Sequence, residues 1–405
     1  FLLSVGALYG VLAKTGKYRA WIEKIASKFR GKEYVFLIVA AVIIVGLTSA
    51  FNYGLLLFMF FPLIISIVLA MGYDKITAFL TTFGAMLIGT IGSTISYNIT
   101  GVINEQLSVT KLSTGIWYRI VILVLSLAVL IVYLVKAKHT VVKKAENKIE
   151  TAIENDMFIG EKNANKYSVW PIIVILGLLF VLLVLACTNW SGTFNIKFFS
   201  DLNTKIMAVK IKDFEIFKNI FGTIEEFGNW YYAEMAVMNL LAALLIGRFF
   251  RMKHKDVLSY MAEGAKKMLP SALIVVLAYC VIYFAGNTMF YPTIAGWILG
   301  ATSKFNIFFA SIATILGSAL HVDMLYVANY VIPQIAAEGA SATVTGTLIQ
   351  GLYGVTMFVV PTSAALVLGL TYLNIPYTEW IKKTWKIALI LFGIVILTTV
   401  AAMLI

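Results

Sequence analysis

The chain has 405 residues and a net charge of +12, and 60% of its residues are hydrophobic while 13% are charged. A soluble domain of this length needs more polar residues to cover its core, so the composition indicates a membrane protein. The positive residues lie in short segments beside apolar helices, as in membrane proteins with basic cytoplasmic loops. We therefore expect the lipid bilayer as a partner and no nucleic acid.

The apolar segments are long enough to cross a bilayer as helices, which takes roughly 20 residues. Alternating strands of about ten residues, typical of outer-membrane barrels, are absent, so the predicted fold class is an all-α polytopic membrane protein. In chain order we predict a helix ending at Lys14, a helical hairpin over 33–72, a long helix over 75–105, helices over 116–136, 169–188, 230–248 and 270–286, a second hairpin over 304–338, a second long helix over 341–376 and a last helix over 386–405.

Three clusters of Lys and Arg, within 14–32, 136–148 and 248–267, predict the cytoplasmic side. The segment Asn189–Asn229 lacks this bias and is placed outside. Residues 137–168 have no apolar periodicity and are predicted to be a flexible cytoplasmic linker. The chain begins at Phe1 and enters an apolar run directly, so we expect that an N-terminal piece precedes it.

The two halves of the sequence resemble each other at an offset of about 270 residues. The matched positions are Gly16 with Gly286, Gly46 with Gly317, and Pro62 with Pro333. Segment 14–33 carries seven Lys or Arg residues and its counterpart 287–303 carries none, so equivalent segments are predicted on opposite membrane faces. This is inverted-repeat topology, which is common in secondary transporters; a chance coincidence of Gly and Pro is the alternative.

The predicted division of the chain follows from this repeat. It comprises a first inverted repeat over 1–136, the linker over 137–168, scaffold helices over 169–248 with an extracellular loop over 189–229, and a second inverted repeat over 249–405.

Four interruptions are predicted at membrane depth: two hairpin tips near 46–49 and 317–318, and two broken helices near 89–98 and 361–363. Non-helical backbone is tolerated there where protein buries it or where it lines a cavity, so the interruptions predict a binding site. Freed carbonyls and hydroxyls suit sodium, and helix N-termini suit a carboxylate; hydroxyls bonded within their own helices are the alternative. The candidate binding residues are Thr48, Ser49, Asn52, Ser93, Thr94, Ser96, Asn98, Ser318, His321, Asp323, Thr362 and Ser363, with Tyr97, Gln350 and Tyr353 as further lining residues.

Two ionisable residues, His321 and Asp323, fall at the second predicted tip. Ionisable residues within membranes are costly and often functional, so one interpretation is a proton-coupling pair or an ammonium ligand. The other is a tip that reaches bulk water. Glu234 begins a helix at the outer interface, where a first-turn carboxylate favours the helix dipole.

Motifs for catalysis are missing from the sequence. The three histidines, His139, His254 and His321, are dispersed, and Cys187 and Cys280 lie in apolar runs. No Walker loop, HExxH sequence or Gly-rich dinucleotide turn occurs. We therefore predict no enzyme, no metal site and no cofactor, apart from a coupling ion that is either sodium or a proton.

Several short motifs resemble those of the YfcC family of the ion transporter superfamily. In the first half they are Gly72-Tyr73-Asp74, Gly84, Gly89 through Gly92-Ser93-Thr94, Gly101, Gly115, Arg119 and Tyr133 to Lys138. Further along they are Trp230 to Glu234, Glu263-Gly264-Ala265, Gln350-Gly351, Pro361-Thr362-Ser363, Pro376-Tyr377 and Trp380-Ile381-Lys382.

The resemblance implies an elevator-type carrier with a dimer-forming scaffold domain and a moving transport domain of hairpins and broken helices. Relatives in that family are assigned as four-carbon dicarboxylate carriers and arginine/ornithine antiporters. This sequence departs from the family pattern around Phe51-Asn52, Ser96-Tyr97-Asn98 and 319–323, where substrate would bind. We predict a transporter or antiporter in the plasma or inner membrane. Because Asp323 lies at a hairpin tip, and no Arg or Lys lies at a tip or a break, the predicted substrate is an amino acid such as arginine. A dicarboxylate carrier is the runner-up, and an ion channel is the alternative from another class.

Overall fold

The computed structural model describes residues 1–137, 156–160, 167–222 and 224–404. Most of the predicted linker over 137–168 lies outside these residues. The helices are α1 (Leu2–Lys14), α2 (Lys17–Lys28), α3 (Glu33–Phe51), α4 (Phe61–Ala70), α5 (Lys75–Ile91), α6 (Val102–Gln106), α7 (Ile116–Lys136), α8 (Trp170–Cys187), α9 (Trp190–Phe194), α10 (Phe198–Met207), α11 (Ile216–Phe221), α12 (Tyr232–Phe249), α13 (His254–Lys267), α14 (Leu269–Gly286), α15 (Phe290–Leu299), α16 (Ile307–Leu320), α17 (Met324–Tyr330), α18 (Ile332–Ala336), α19 (Ala342–Val359), α20 (Ala364–Tyr372) and α21 (Tyr377–Leu404).

Seven candidate membrane spans occur within the described residues, judged by helix length and apolar composition. They are α3, α7, α8, α12, α14, the pair α19 and α20, and α21. Their outward faces carry large apolar side chains such as Trp117, Leu178 and Leu397, each more than 60% exposed. A water-soluble protein does not leave such surfaces uncovered, so the prediction of a multi-pass membrane protein is confirmed at this level.

The segment predicted as an extracellular loop over 189–229 is folded rather than irregular. It contains α9, α10 and α11, and a two-stranded antiparallel hairpin of β1 (Lys210–Ile211) and β2 (Phe214–Glu215). The turn is possible because Lys212 adopts a left-handed backbone conformation with a φ of 53°. The all-α prediction was therefore wrong at this small hairpin, and the chain is mostly helical.

Contacts divide the chain into two compact units, each built from two chain segments. Unit 1 comprises residues 1–18 and 160–266, in which α12 packs against both α1 and α8. Unit 2 comprises residues 19–159 and 267–405 and contains both predicted hairpins and both predicted broken helices. The four-part division made from the sequence stays a prediction.

Unit 2 repeats one order of elements in its two halves. In the first half α3 is followed by a turn, a 3-10 segment (Gly54–Met59), α4, α5 with its break, and α7. In the second half α16 is followed by a turn, α17, α18, α19 with its break, and α21. Pro62 and Pro333 each lie in the first turn of the returning helix, where proline's missing N–H costs nothing. The repeat inferred from Gly and Pro positions thus has a structural counterpart, and its inverted orientation stays a prediction.

The two hairpin turns lie later in the chain than predicted. Helix α3 runs through Gly46–Ser49 to Phe51 and turns at Asn52, whose φ is 50°. Helix α16 runs through Gly317-Ser318 to Leu320 and turns at 321–323. Both predictions were wrong because glycine in an apolar helix with satisfied backbone bonds does not by itself end the helix. The left-handed Asn52 does end it.

The two helix breaks lie where the sequence placed them. Helix α5, which contains a π-helical stretch (Leu80–Gly84), ends at Ile91, and helical backbone resumes in a second π-helical stretch (Tyr97–Gly101). Helix α19 ends at Val359 and α20 begins at Ala364. Pro361 accounts for the second break, because proline disfavours the helical conformation of the residue before it.

The last helix begins nine residues before the predicted start, at Tyr377 rather than 386. Its charged first turns suggested a loop, but they are paired: Lys383 Nζ lies 2.9 Å from Glu379 Oε1 and 3.7 Å from Asp74 Oδ2. In the same turns the Trp380 side chain packs inward and is fully buried against Phe79 and Phe358. This start is amphipathic, which explains why hydropathy alone missed it.

Candidate functional site

The last turns of α3, just before the first hairpin turn, are hydrogen-bonded to the first helix break. Thr94 N donates to Ser49 O at 2.9 Å, and Ser49 Oγ donates to Gly92 O at 2.8 Å. The Ser49 and Thr94 hydroxyls lie 3.2 Å apart, and Ser93 Oγ donates to Ser49 O at 3.3 Å. Backbone groups freed at the break therefore find partners at the end of α3, which satisfies them away from lipid.

Glycine at position 89 allows this approach. A Cβ atom at Gly89 would lie 2.7 Å from Thr48 Cβ and 2.8 Å from Val45 O. The backbones of α3 and α5 thus touch one turn before the break. The close contact places Thr48 and Ser49 beside the freed residues 92–96.

The second hairpin turn and the second break make a matching contact. Thr362 Oγ1 donates to Ala319 O at 2.8 Å, so a hydroxyl of the break bonds a carbonyl in the last turn of α16. Thr94 has the equivalent role in the first half, where its hydroxyl bonds Ser49 O at 3.3 Å. In both halves a threonine of the broken helix is therefore joined to the end of the hairpin's first helix.

Helix α19 joins the first break to the second turn. Gln350 Nε2 donates to Ser93 O at 2.6 Å, and Gln350 Oε1 accepts from Thr100 Oγ1 at 3.3 Å. One turn further along, Tyr353 OH donates to Val322 O at 3.0 Å. Residues three apart lie on the same face of a helix. The two interruptions therefore flank a single turn of α19. That Gln350 and Tyr353 line a shared site stays a prediction.

Three candidate hydroxyls in this region are buried without a hydrogen-bond partner among the described residues. They belong to Thr48, Ser96 and Ser318, each fully buried. Buried polar groups are normally paired, because leaving one unpaired costs about 1–3 kcal/mol. Such groups next to freed backbone suit an ion or a polar solute.

His321 is fully buried, so the interpretation of a tip reaching bulk water does not hold for this residue. Its ring stacks on Tyr330 at 4.9 Å between centroids and meets the edge of Tyr291 at 5.5 Å. Neither ring nitrogen has a partner among the residues that the structure describes. No ion pair of the described residues joins it to Asp323.

Asp323 and Ser363 have local structural roles as helix caps. Asp323 Oδ1 accepts from Leu325 N at 2.9 Å and begins α17. Ser363 Oγ accepts from Leu366 N at 3.4 Å and begins α20. Short polar side chains at this position satisfy N–H groups that the helix leaves free. One oxygen of the Asp323 carboxylate thus already accepts a hydrogen bond from its own helix, without a cationic ligand.

The remaining candidates are less enclosed. Asn98 and Tyr97 are exposed, and Asn52 is half-buried at its turn. The structure gives no hydrogen bond from the Asn52 or Asn98 amides to another described residue. Glu234 is held in its own helix start, since its Oε2 accepts from Tyr231 N at 2.9 Å. This agrees with a first-turn carboxylate.

A small cleft beside this region contains a residue that was not among the predicted binding residues. Arg119, at the start of α7, is 4% exposed. The cleft is lined by Ile103, Asn104, Thr114, Arg119, Ala342, Thr343, Gly346, Thr347 and Gln350. Its walls come from segments far apart in the sequence. The sequence signals for Arg119 are its place in a family-like motif and its position, alone, at the start of an apolar run.

Two helix breaks held against two hairpin turns, in a chain with seven candidate spans, define a multi-pass membrane protein with an interrupted helical core. The chain belongs to the DcuC family of C4-dicarboxylate anaerobic carriers, whose model matches residues 1–404. Family membership indicates a membrane transporter rather than an enzyme. The narrower resemblance to the YfcC family is not established by this match.

Two individual proteins are similar to this chain at low sequence identity. A protein of Haemophilus influenzae described as uncharacterized is 23% identical over 414 residues, covering 98% of this chain and 74% of that protein. The crystal structure of the Alcanivorax borkumensis YdaH transporter is 13% identical in sequence, with coverage of 98% of this chain and 84% of that chain. Its TM-score of 0.40 is too low to establish a shared fold.

Proposed function

We propose that this protein is a secondary active carrier of a small carboxylate-bearing metabolite of the four-carbon dicarboxylate class. The observation that carries the proposal is the cluster around α19. There, two breaks and two turns are joined by Ser49, Thr362, Gln350 and Tyr353 in a member of a dicarboxylate carrier family. Interrupted helices of this kind form substrate sites in secondary transporters.

The chemistry of the cluster suits an anion and a coupling ion. Helix α20 begins in the second break, and the N-terminus of a helix carries a partial positive charge that favours a carboxylate. The unpaired hydroxyls of Thr48, Ser96 and Ser318 suit sodium or a protonated partner. We therefore propose substrate uptake or exchange coupled to sodium or to protons.

The mechanism that we propose is an elevator. Both hairpins and both broken helices belong to unit 2, which would move as the transport domain while the remaining helices anchor a homodimer in the plasma or inner membrane. The hairpins would be re-entrant and the halves inverted, which gives matching access from the two sides. Crosslinking of cysteine pairs, with one cysteine in unit 2 and the other in the helices proposed to stay anchored, would test this motion.

An amino acid of the arginine or ornithine type is the runner-up substrate. The reason for it is the Asp323 carboxylate at the second turn, which attracts a positive charge. Since Asp323 Oδ1 already caps α17, the residue has a structural explanation that needs no cationic substrate. This favours the dicarboxylate.

The test is counterflow in proteoliposomes that contain the full chain, with labelled succinate and labelled arginine measured side by side. We expect saturable succinate counterflow that Asp323→Asn leaves largely intact. Saturable arginine counterflow that is lost in Asp323→Asn would instead support the runner-up. Flux that does not saturate would indicate a channel and overturn the carrier proposal.

A further inference from the structure

Arg119 carries a buried charge that the described residues do not neutralise. Its Nη2 donates to Leu112 O at 2.7 Å and to Thr114 O, and both acceptors are uncharged carbonyls. Its buried Nε–H has no acceptor, and no carboxylate of the described residues lies within ion-pair distance. A buried charge without a counterion is costly, so an anion bound here would recover part of that cost.

The cleft around Arg119 presents neutral polar groups. Thr343, Gly346, Thr347 and Gln350 lie on one face of α19, at the spacing of successive helix turns. The lining contains no acidic residue. Thr347 is nearly buried, and its hydroxyl forms no hydrogen bond to another residue in the described part of the chain. Thr347 and Arg119, whose Nε–H has no acceptor among the described residues, therefore line the same small cleft.

The cleft and the first helix break share one side chain, Gln350. This residue lines the cleft and also bonds Ser93 O in the first break. A solute held by the freed backbone of the break would thus be close to the same side chain that lines the cleft. A four-carbon dicarboxylate has a charged group at each end, so one end fits the break and the other needs a second donor set.

We propose that the Arg119 cleft is the subsite for one carboxylate group of the transported anion, with Arg119 Nε–H and Thr347 Oγ1–H as its donors. The inference rests on the proposed function. Arginine matches carboxylate geometry and keeps its charge when buried, which lysine does less well. Arg119 then determines specificity, because it selects a solute with a second negative charge over a monocarboxylate.

The experiment measures succinate and acetate affinity by calorimetry on the purified full chain, and succinate counterflow in parallel. The variants are Arg119→Gln, Arg119→Lys and Thr347→Val. Thr356→Val is the matched control, because its hydroxyl bonds Leu352 O in the same helix and does not line the cleft. Thr347→Val keeps the test informative if Arg119 variants lose the bonds to Leu112 and Thr114 and fail to fold.

We expect Arg119→Gln to weaken succinate binding about tenfold or more, and Thr347→Val about three- to tenfold, as for charged and neutral hydrogen bonds respectively. Thr356→Val stays near wild type, and acetate affinity changes less than succinate affinity. Succinate binding equal to wild type in both cleft variants would overturn the subsite and leave the carrier proposal standing. Wild-type protein that neither binds nor transports a carboxylate would overturn both.

Discussion

The hydroxyl of Thr362 connects the second helix break to α16, and we expect its removal to reduce transport. Its bond to Ala319 O holds the second break against the end of α16. We expect Thr362→Val to lower succinate counterflow several-fold at unchanged protein level, because the break loses its partner. Thr398→Val is the control, since that hydroxyl bonds Ile394 O within its own helix. Equal counterflow in the two variants would show that the bond is dispensable.

Asp156 makes the packing of a short linker segment, residues 156–159, dependent on pH. Its carboxyl group is enclosed in unit 2, where it accepts from Ser66 Oγ and from Phe158 N. Next to it, Lys267 Nζ donates to Met157 O at 2.6 Å, and Phe158 is fully buried. Burial raises the pKa of Asp156 from 3.8 to about 6, against the lowering effects of Ser66, Phe158 and Lys267.

The sign of the effect follows from that shift. Because the pKa is higher when the segment is packed, the packed state binds a proton more tightly than the released state does. Packing is therefore favoured at low pH and weakens as pH rises through the window from 3.8 to about 6. Hydrogen-exchange protection at Met157–Ile159 should fall across this window in wild type and stay level in Asp156→Asn. An equal fall in the variant would assign the change to another group.

At the scale of elements, the contact between α3 and α5 depends on Gly89. A methyl group there meets backbone and Cβ atoms at 2.7–2.8 Å, so Gly89→Ala should lower stability by about 1–3 kcal/mol. Gly46 on α3 has no atom near the position of an added Cβ, so Gly46→Ala should be neutral or slightly stabilising. Thermal unfolding of the two purified variants tests this. A Gly89→Ala protein as stable as Gly46→Ala would mean that the helices separate without cost.

The elements themselves were largely predictable from the sequence, because apolar runs and proline positions act locally. Pro361 marked the second break, and hydropathy placed α7, α8, α12 and α14 within about two residues. The turn positions were not predictable from glycine. Gly317 packs against Tyr291 and Val331 inside a continuous helix, so its role is close packing and not a break.

The site was predictable in part for the same reason. Ser49 contacts Ser93 and Thr94, and Thr362 contacts Ala319, because each lies next to an interruption that the sequence marks. Their role in binding stays a prediction. Arg119 was missed because its surroundings are assembled from α6, α7 and α19. Whether a single charged residue is buried depends on the tertiary structure, so a local sequence pattern does not predict it.

At the scale of the whole molecule, the sequence predicted a membrane transporter from composition and from the repeat, and family membership supports that class. Contacts between helices that are far apart in the sequence determine which residues belong to which unit. Helix α1 was assigned to the first repeat, yet its packing partner within unit 1 is α12. There Asn239 Nδ2 donates to Ser4 Oγ at 3.2 Å, with both residues buried.

This pairing has a consequence for biogenesis. Chains emerge from the ribosome in order, and domains fold as units during synthesis. Helix α1 is made well before its partner, residues 232–249, so the nascent chain carries α1 without that partner while residues 19–159 of unit 2 are synthesised. Insertion factors that shelter a lone helix would have to hold α1 until α12 arrives, and a stall before that point leaves unit 1 without its central contact.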